Sequence, residues 1–232
     1  MWLLKRGTSI LTAKEIYDIL RAGGLTRAGA LGMLGNMAAE STINLKPNIV
    51  QIGCSKLSDE QYTAAVDNGL YDFADGIGYG LCQWTLKSRK RALLDYAKSY
   101  GVSVGDGIMQ TDFALFELRK DFPDLFKFLC STDNIDLASD KICDDFENPE
   151  VNNFTTRRNY AHKFEADISE STATPYKPKD PIEATFPPDP TIYAFQLYMW
   201  RNGYWEAEKI NGYKSKEFFD KLKKFVEDME VC

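Results

Sequence analysis

Three glycines, Gly29, Gly32 and Gly35, recur at spacing three inside a stretch of otherwise helical character, and nothing else restricts the fold as strongly. Residues three apart share one helix face, so this stripe carries no side chains and lets another backbone approach closely. It belongs to packing and not to a phosphate loop, because no β-branched strand precedes it. Thr26 is placed to cap the helix that holds the stripe and delivers Glu40 at its far end. An earlier helix opens at the capping box Thr12-Ala13-Lys14-Glu15, carries Ile16, Ile19 and Leu20, and stops at Gly23-Gly24. A second capping box, Ser58 with Gln61, starts a short helix that turns at Asn68-Gly69. Apolar residues at helical spacing predict further helices over 88–100, 106–120, 135–146 and 155–168. The fold class is therefore mainly α.

The texture changes after residue 168. Six of the nine prolines fall between residues 169 and 190, so residues 169–190 read as an extended linker of polyproline character. Residues 1–168 then form the main domain, and the aromatic, helix-prone stretch 191–232 a small helical module, for which Trp200 and Trp205 would be the anchors if it docks on the main domain or self-associates.

At 232 residues, 44% hydrophobic and 27% charged, the chain can bury one sizeable core. A net charge of -6 argues against a general nucleic-acid binder, which needs clustered Lys and Arg against phosphates. The run Lys87-Ser88-Arg89-Lys90-Arg91 is the exception, and is expected on a solvated helix face or, less simply, against an anionic polymer. No apolar run approaches the ~20 residues that span a bilayer, and Met1-Trp2-Leu3-Leu4-Lys5-Arg6 is too short for a signal-peptide apolar region. The five cysteines lack metal-ligand spacing and are odd in number, so free thiols in a reducing compartment are expected, with no metal and no cofactor.

Glu40 is the candidate for the chemistry. A helix C-terminus presents unpaired carbonyls and partial negative charge, which disfavours ionising a carboxylate beside it and so suits a proton donor. The plainer alternative is a surface Glu that merely closes a helix.

The wider text separates these readings: Gly35-Asn36-Met37 with Glu40-Ser41, then Tyr62 to Gly69, then Gly78-Tyr79-Gly80-Leu81 with Gln83-Trp84-Thr85, then Ser88-Arg89-Lys90. In that order, and continuing through Leu93 to Ala97, Ser103 to Asp106, Met109-Gln110 and Glu117-Leu118, they resemble the phage tail lysozyme family over most of residues 12–168. The resemblance implies a lysozyme-like helical domain, with a small β element beside the cleft that would fall as a hairpin between Gly69 and Trp84. It implies hydrolysis of β-1,4 glycosidic bonds in the glycan strands of bacterial peptidoglycan, with Glu40 as the essential acid. Partners would be those strands and other phage tail proteins, without nucleic acid or membrane insertion. The location would be the virion tail, or the host cytoplasm with release to the wall. In the tail of the chain, Phe195-Gln196, Asn202-Gly203-Tyr204, Asn211-Gly212 and Ser215 to Phe218 loosely resemble a peptidoglycan-binding module, and docking on the main domain is the other reading of 191–232.

A glycosidase normally uses a second carboxylate, and Asp67, Asp72 and Asp75 are the candidates. Asp75, just before the Gly76–Gly80 stretch, is the first choice, against the alternative that it only bonds turn amides. Asp67 reads as a turn residue. Tyr79 and Gln83 suit sugar binding, through an aromatic face and an amide, while Trp84 reads as a core anchor. Ser41 and Asn44 either orient Glu40 and touch substrate or cap the helix exit. Muramidase, glucosaminidase and lytic transglycosylase chemistry all stay open. Two alternatives remain: a Cys/His amidase or endopeptidase using Cys82 and His162, and a noncatalytic wall-glycan-binding tail component.

Overall fold

Both capping boxes close in the computed structural model, which describes residues 12–149 and 153–168. The Thr12 hydroxyl accepts from the Glu15 amide at 3.2 Å, while the Glu15 carboxylate accepts from the Thr12 amide at 2.8 Å, and helix α1 runs Ala13–Ala22. Ser58 and Gln61 do the same for α3, Asp59–Asp67. Between them Thr26 caps α2, Arg27–Ser41, through the Gly29 amide. Then follow α4, Lys87–Tyr100; α5, Gly107–Asp121, capped by Asp106; and α6, Pro123–Leu129. Helix α7, Ile135–Ile142, widens into a π turn at Cys143–Glu147, and α8, Phe154–Asp167, is capped by Asn153.

Two departures from the expected helices have local causes. Helix α6 was not foreseen, although Pro123 at its first turn is pre-set for helix geometry and has no amide to leave unpaired. The helix expected over 135–146 stops being α at Ile142, because its last turn takes the wider i→i+5 pattern and ends on Asn148 with φ 45°.

Helix α2 sits at the centre of the domain and is buried on nearly every side. The glycine stripe explains how three neighbours reach it. A Cβ on Gly29 would lie 2.4 Å from the Leu129 carbonyl oxygen, one on Gly32 2.8 Å from the Ser139 amide, and one on Gly35 2.4 Å from the Arg157 carbonyl oxygen. The stripe thus seats the end of α6, the middle of α7 and the first turn of α8 directly against the α2 backbone. Leu31, Leu34 and Met37 join Ile16, Leu20, Phe113 and Leu118 in one core.

Among the described residues there is no β-strand. The expected hairpin within 69–84 is replaced by an isolated antiparallel bridge between Val50 and Tyr79. It is flanked by amide-to-carbonyl bonds from Gln51 to Gly78 and from Gly80 to Ile49. Gly76 and Gly80 take φ of 85° and 79°, and this repeated left-handed backbone keeps the stretch from pairing with itself. No described helix is long and apolar enough to cross a membrane. The linker over 169–190 and the module over 191–232 lie outside the described residues.

Candidate active site

The last turn of α2 brings Glu40 to the edge of the core, with its side chain 20% exposed. Arg157, on the first turn of α8, meets it there: Nη2 donates to Glu40 Oε1 at 2.5 Å, and Nη1 donates to Asn36 Oδ1 at 3.0 Å. Asn36 in turn donates through Nδ2 to the carbonyls of Gly32 and Ser139. The guanidinium is therefore held by two side chains of α2, one of them itself tied to α7, on the side of α8 that bare Gly35 admits. Burial alone would lower the Arg157 pKa, but the bond to Glu40 and its charge outweigh that and hold it above its usual range.

A second carboxyl group stands by. Glu147 closes the π turn and lies within electrostatic reach of Glu40, Arg89 and Arg157. Its residue surface is only partly covered, yet its Oε1 is sealed from solvent and has no hydrogen-bond partner among the described residues. The Nε of Arg157 is sealed and partnerless in the same sense. Burial pushes the Glu147 carboxyl up to about 8, the Glu40 charge reinforces the rise, and Arg89 and Arg157 oppose it.

Arg89 closes the floor of this cluster. Its Nε and Nη2 fork onto Glu117 at 2.8 Å each, and Nη1 donates to the Phe146 carbonyl oxygen at 3.3 Å. Glu117 also accepts from Trp84 Nε1 at 2.7 Å, so Trp84 is the fully buried anchor that its place in the chain suggested. The turn before it contains Cys82, which lies within electrostatic reach of Glu40, Glu147 and Arg89. The Gly-Tyr-Gly-Leu block is in this way brought to the Glu40 end of α2.

Asp75 lies in a different network. Its Oδ1 accepts from Lys90 Nζ at 2.6 Å and from the Ile77 amide at 2.9 Å, and its Oδ2 accepts from the Tyr62 hydroxyl at 2.7 Å. Desolvation pushes its pKa up, but the bonds from Lys90, Ile77 and Tyr62 win and leave it below the usual carboxylate value. Lys90 itself is fully buried, over the Phe73 ring at 4.4 Å. Hence the basic run 87–91 is not one solvated face: Lys87 and Arg91 are exposed, while Arg89 and Lys90 turn inward onto carboxylates.

The proposed sugar contacts divide in a similar way. Tyr79 is 0% exposed, stacks on Tyr62 with ring centroids 5.5 Å apart and shares a 2.7 Å hydrogen bond with Thr63. Its ring is a core element with no face left for a sugar. Ser41 is also buried and donates back to the Met37 carbonyl at 2.7 Å, so it neither bonds Glu40 nor reaches solvent. Asn44 is exposed in the turn that follows α2. Gln83 is partly exposed at a left-handed φ of 42°, its amide donating to the carbonyls of Ile49 and Gly80. Asp67 fastens the Ser103–Val104 turn and Asp72 accepts from the Ala74 amide.

Cys82 and His162 do not form a nucleophile and base. The Cys82 thiol is buried, and burial raises it well above its ordinary value, which disfavours the reactive thiolate. Both ring nitrogens of His162 are taken at the surface, Nδ1 by Glu165 and Nε2 by Asp136. None of Cys54, Cys82, Cys130 and Cys143 is joined to another by a disulfide.

Arg157, Asn36 and Glu147 were not singled out from the sequence. Only Asn36 carried a local signal, since it stands one turn before Glu40 on the same helix face. Residues 11–167 match a family model described as phage tail lysozyme. No curated protein matches the chain closely enough to count as a relative.

Proposed function

The chain belongs to the phage tail lysozyme family, which makes it a peptidoglycan-degrading, lysozyme-like enzyme, and from that premise we propose that it cleaves β-1,4 glycosidic bonds of the glycan strands with Glu40 as general acid. The observation that carries the reading is the placement of Glu40. It is the partly exposed carboxylate at the end of a central, rigid helix, held by a buried arginine that is itself fixed through Asn36. A proton donor must present its carboxyl to the leaving oxygen within hydrogen-bond reach, and a helix end locked into the core holds it there.

Asn44 and Gln83 are the proposed substrate contacts that remain near the surface. Asp75 is proposed to act through the loop: as a fixed anion it ties Ile77 and Lys90 together and so sets the stretch that leads to Gln83. A direct role as base or nucleophile would require it to leave three donors at once.

Mass spectrometry of fragments released from purified peptidoglycan, with borohydride reduction of new ends, tests this reading. Wild type is expected to release saccharides, and reduced muramic acid, reduced glucosamine or anhydromuramic ends then identify the bond and the mechanism. Full activity in Glu40→Gln, or products cut only at peptide or amide bonds, would sink the proposal.

A further inference from the structure

Two buried polar atoms beside Glu40 lack partners among the described residues, one on an acid and one on a base: Glu147 Oε1 and Arg157 Nε. Leaving such groups unpaired is costly, so an unpaired carboxyl oxygen and an unpaired guanidinium nitrogen in one cluster mark a place where function overrides packing. The π turn that positions Glu147 points the same way, because widened turns of this kind concentrate at functional sites.

The charges around Glu147 fix what it can do. Glu40 faces it from α2, Arg89 from α4, Glu117 from α5, Arg157 from α8, Cys82 from the turn before α4, and Cys143 and Asp144 belong to its own π turn. With Arg89 neutralised by Glu117 and Arg157 by Glu40, neither of the two cations that reach Glu147 among the described residues is left over for its ionised form. Two carboxyls in reach of each other that share the one charge of Arg157 cannot both ionise cheaply.

We propose that Glu40 and Glu147 are one coupled carboxyl pair holding a single proton, which rests on Glu147 while Arg157 faces Glu40. This deepens the reading of Glu40 as the acid and rests on it. Arg157 Nη2 occupies Glu40 Oε1 as its donor in this arrangement. Donation requires the proton to leave the Glu147 O–H and arrive on Glu40, with the positive charge of Arg157 coming to face Glu147 in exchange. The pair carries one negative charge before and after that exchange. Once Glu40 has given its proton to the leaving oxygen, the pair is short by one, and water supplies it during the remainder of the cycle. Glu147 is a positioning residue in this scheme, since it stores the proton and does not touch the sugar.

Carboxyl titration of the full chain, labelled with 13C at the glutamate side chains and followed by NMR, tests the pair without any substrate. One carboxyl is expected to titrate near 8 in the wild type, to be absent from Glu147→Gln, and to move to lower pH in Glu40→Gln as the neighbouring charge disappears. The wild-type titration alone keeps the test open if a variant fails to fold: absence of any glutamate titrating above pH 7 overturns the proposal. So does a signal near 8 that survives Glu147→Gln. The second readout is the alkaline limb of kcat/KM on peptidoglycan, expected to move acidward by about one pH unit in Glu147→Gln, which is about tenfold less activity on that limb. A limb that stays in place overturns the shared proton. Loss of the Glu40 assignment would show separately, as cleavage that persists in Glu40→Gln while the carboxyl near pH 8 still moves to lower pH in that variant.

Discussion

Two buried acid–base clusters sit at opposite levels of completion. Around Asp75 everything is matched: Lys90 donates to Asp75, to the Ile77 carbonyl and to the Tyr62 hydroxyl, and Tyr62 donates back to Asp75. Around Glu40 the matching stops short, with Glu147 Oε1 and Arg157 Nε left without partners among the described residues. A closed network rigidifies, because every proton already has its acceptor, whereas an open one can still exchange protons and partners. The difference explains why the same pair of residue types, a carboxylate and a buried cation, holds a loop in one place and is suited to chemistry in the other.

The largest effect expected from this contrast is on rate. Glu40→Gln should lower saccharide release about a thousandfold, within the range supplied by a positioned general acid and far beyond what the lost Arg157 pair takes from stability. Asp75→Asn, assayed beside it, should lose stability first and activity in proportion. If instead Asp75→Asn matched Glu40→Gln in rate at full stability, the two clusters would share the chemistry and the comparison would break.

The next effect is on stability. Removing one partner of a buried pair leaves the other charge uncompensated, so Lys90→Met should cost about 3 kcal/mol, seen as a Tm lower by about 6–12 °C in calorimetry. A smaller shift would mean that water reaches Asp75 once the lysine is gone. Gly35→Ala acts on the Glu40 cluster through the backbone, since its new Cβ meets the Arg157 carbonyl oxygen at 2.4 Å and must push α8 away. About 1–3 kcal/mol of stability should go with it, and kcat should fall with little change in KM because Arg157 no longer seats Glu40.

What the chain disclosed in advance follows the range of the interactions. Capping boxes at Thr12 and Ser58 involve atoms three residues apart, and both were legible. The stripe at Gly29, Gly32 and Gly35 announced a close approach, but which backbones fill it depends on the whole fold. Glu40 stood in a recognisable block, while its partner Arg157 comes from 117 residues away, and no local pattern connects them. Lys90 shows the same limit in reverse: its charged neighbours suggested solvent, yet its environment is set by Asp75 and Tyr62 across the loop. The π turn was hidden because Ile142 and Phe146 keep helical spacing through it.

The smallest effect, and the sharpest in sign, is the pH dependence of stability. The Asp75 carboxyl is held below its ordinary value of 3.8, so the folded state keeps it ionised more easily than the unfolded chain does. Its contribution is complete above that value and is lost as pH falls below it, toward the folded pKa. For Glu147 the sign reverses. Between the ordinary 4.5 and about 8 the folded protein keeps a proton that the unfolded chain has released, so stability falls as pH rises through that window. Denaturant midpoints for wild type, Asp75→Asn and Glu147→Gln from pH 3 to 9, steps of about one unit being fine enough to see either slope, separate the clusters. Glu147→Gln should flatten the decline between pH 5 and 8, and Asp75→Asn should remove the loss at the acid end while lowering the plateau. A decline above pH 5 that Glu147→Gln leaves intact would show that the open cluster stores no proton, and would leave the two clusters distinguished by their hydrogen bonds alone.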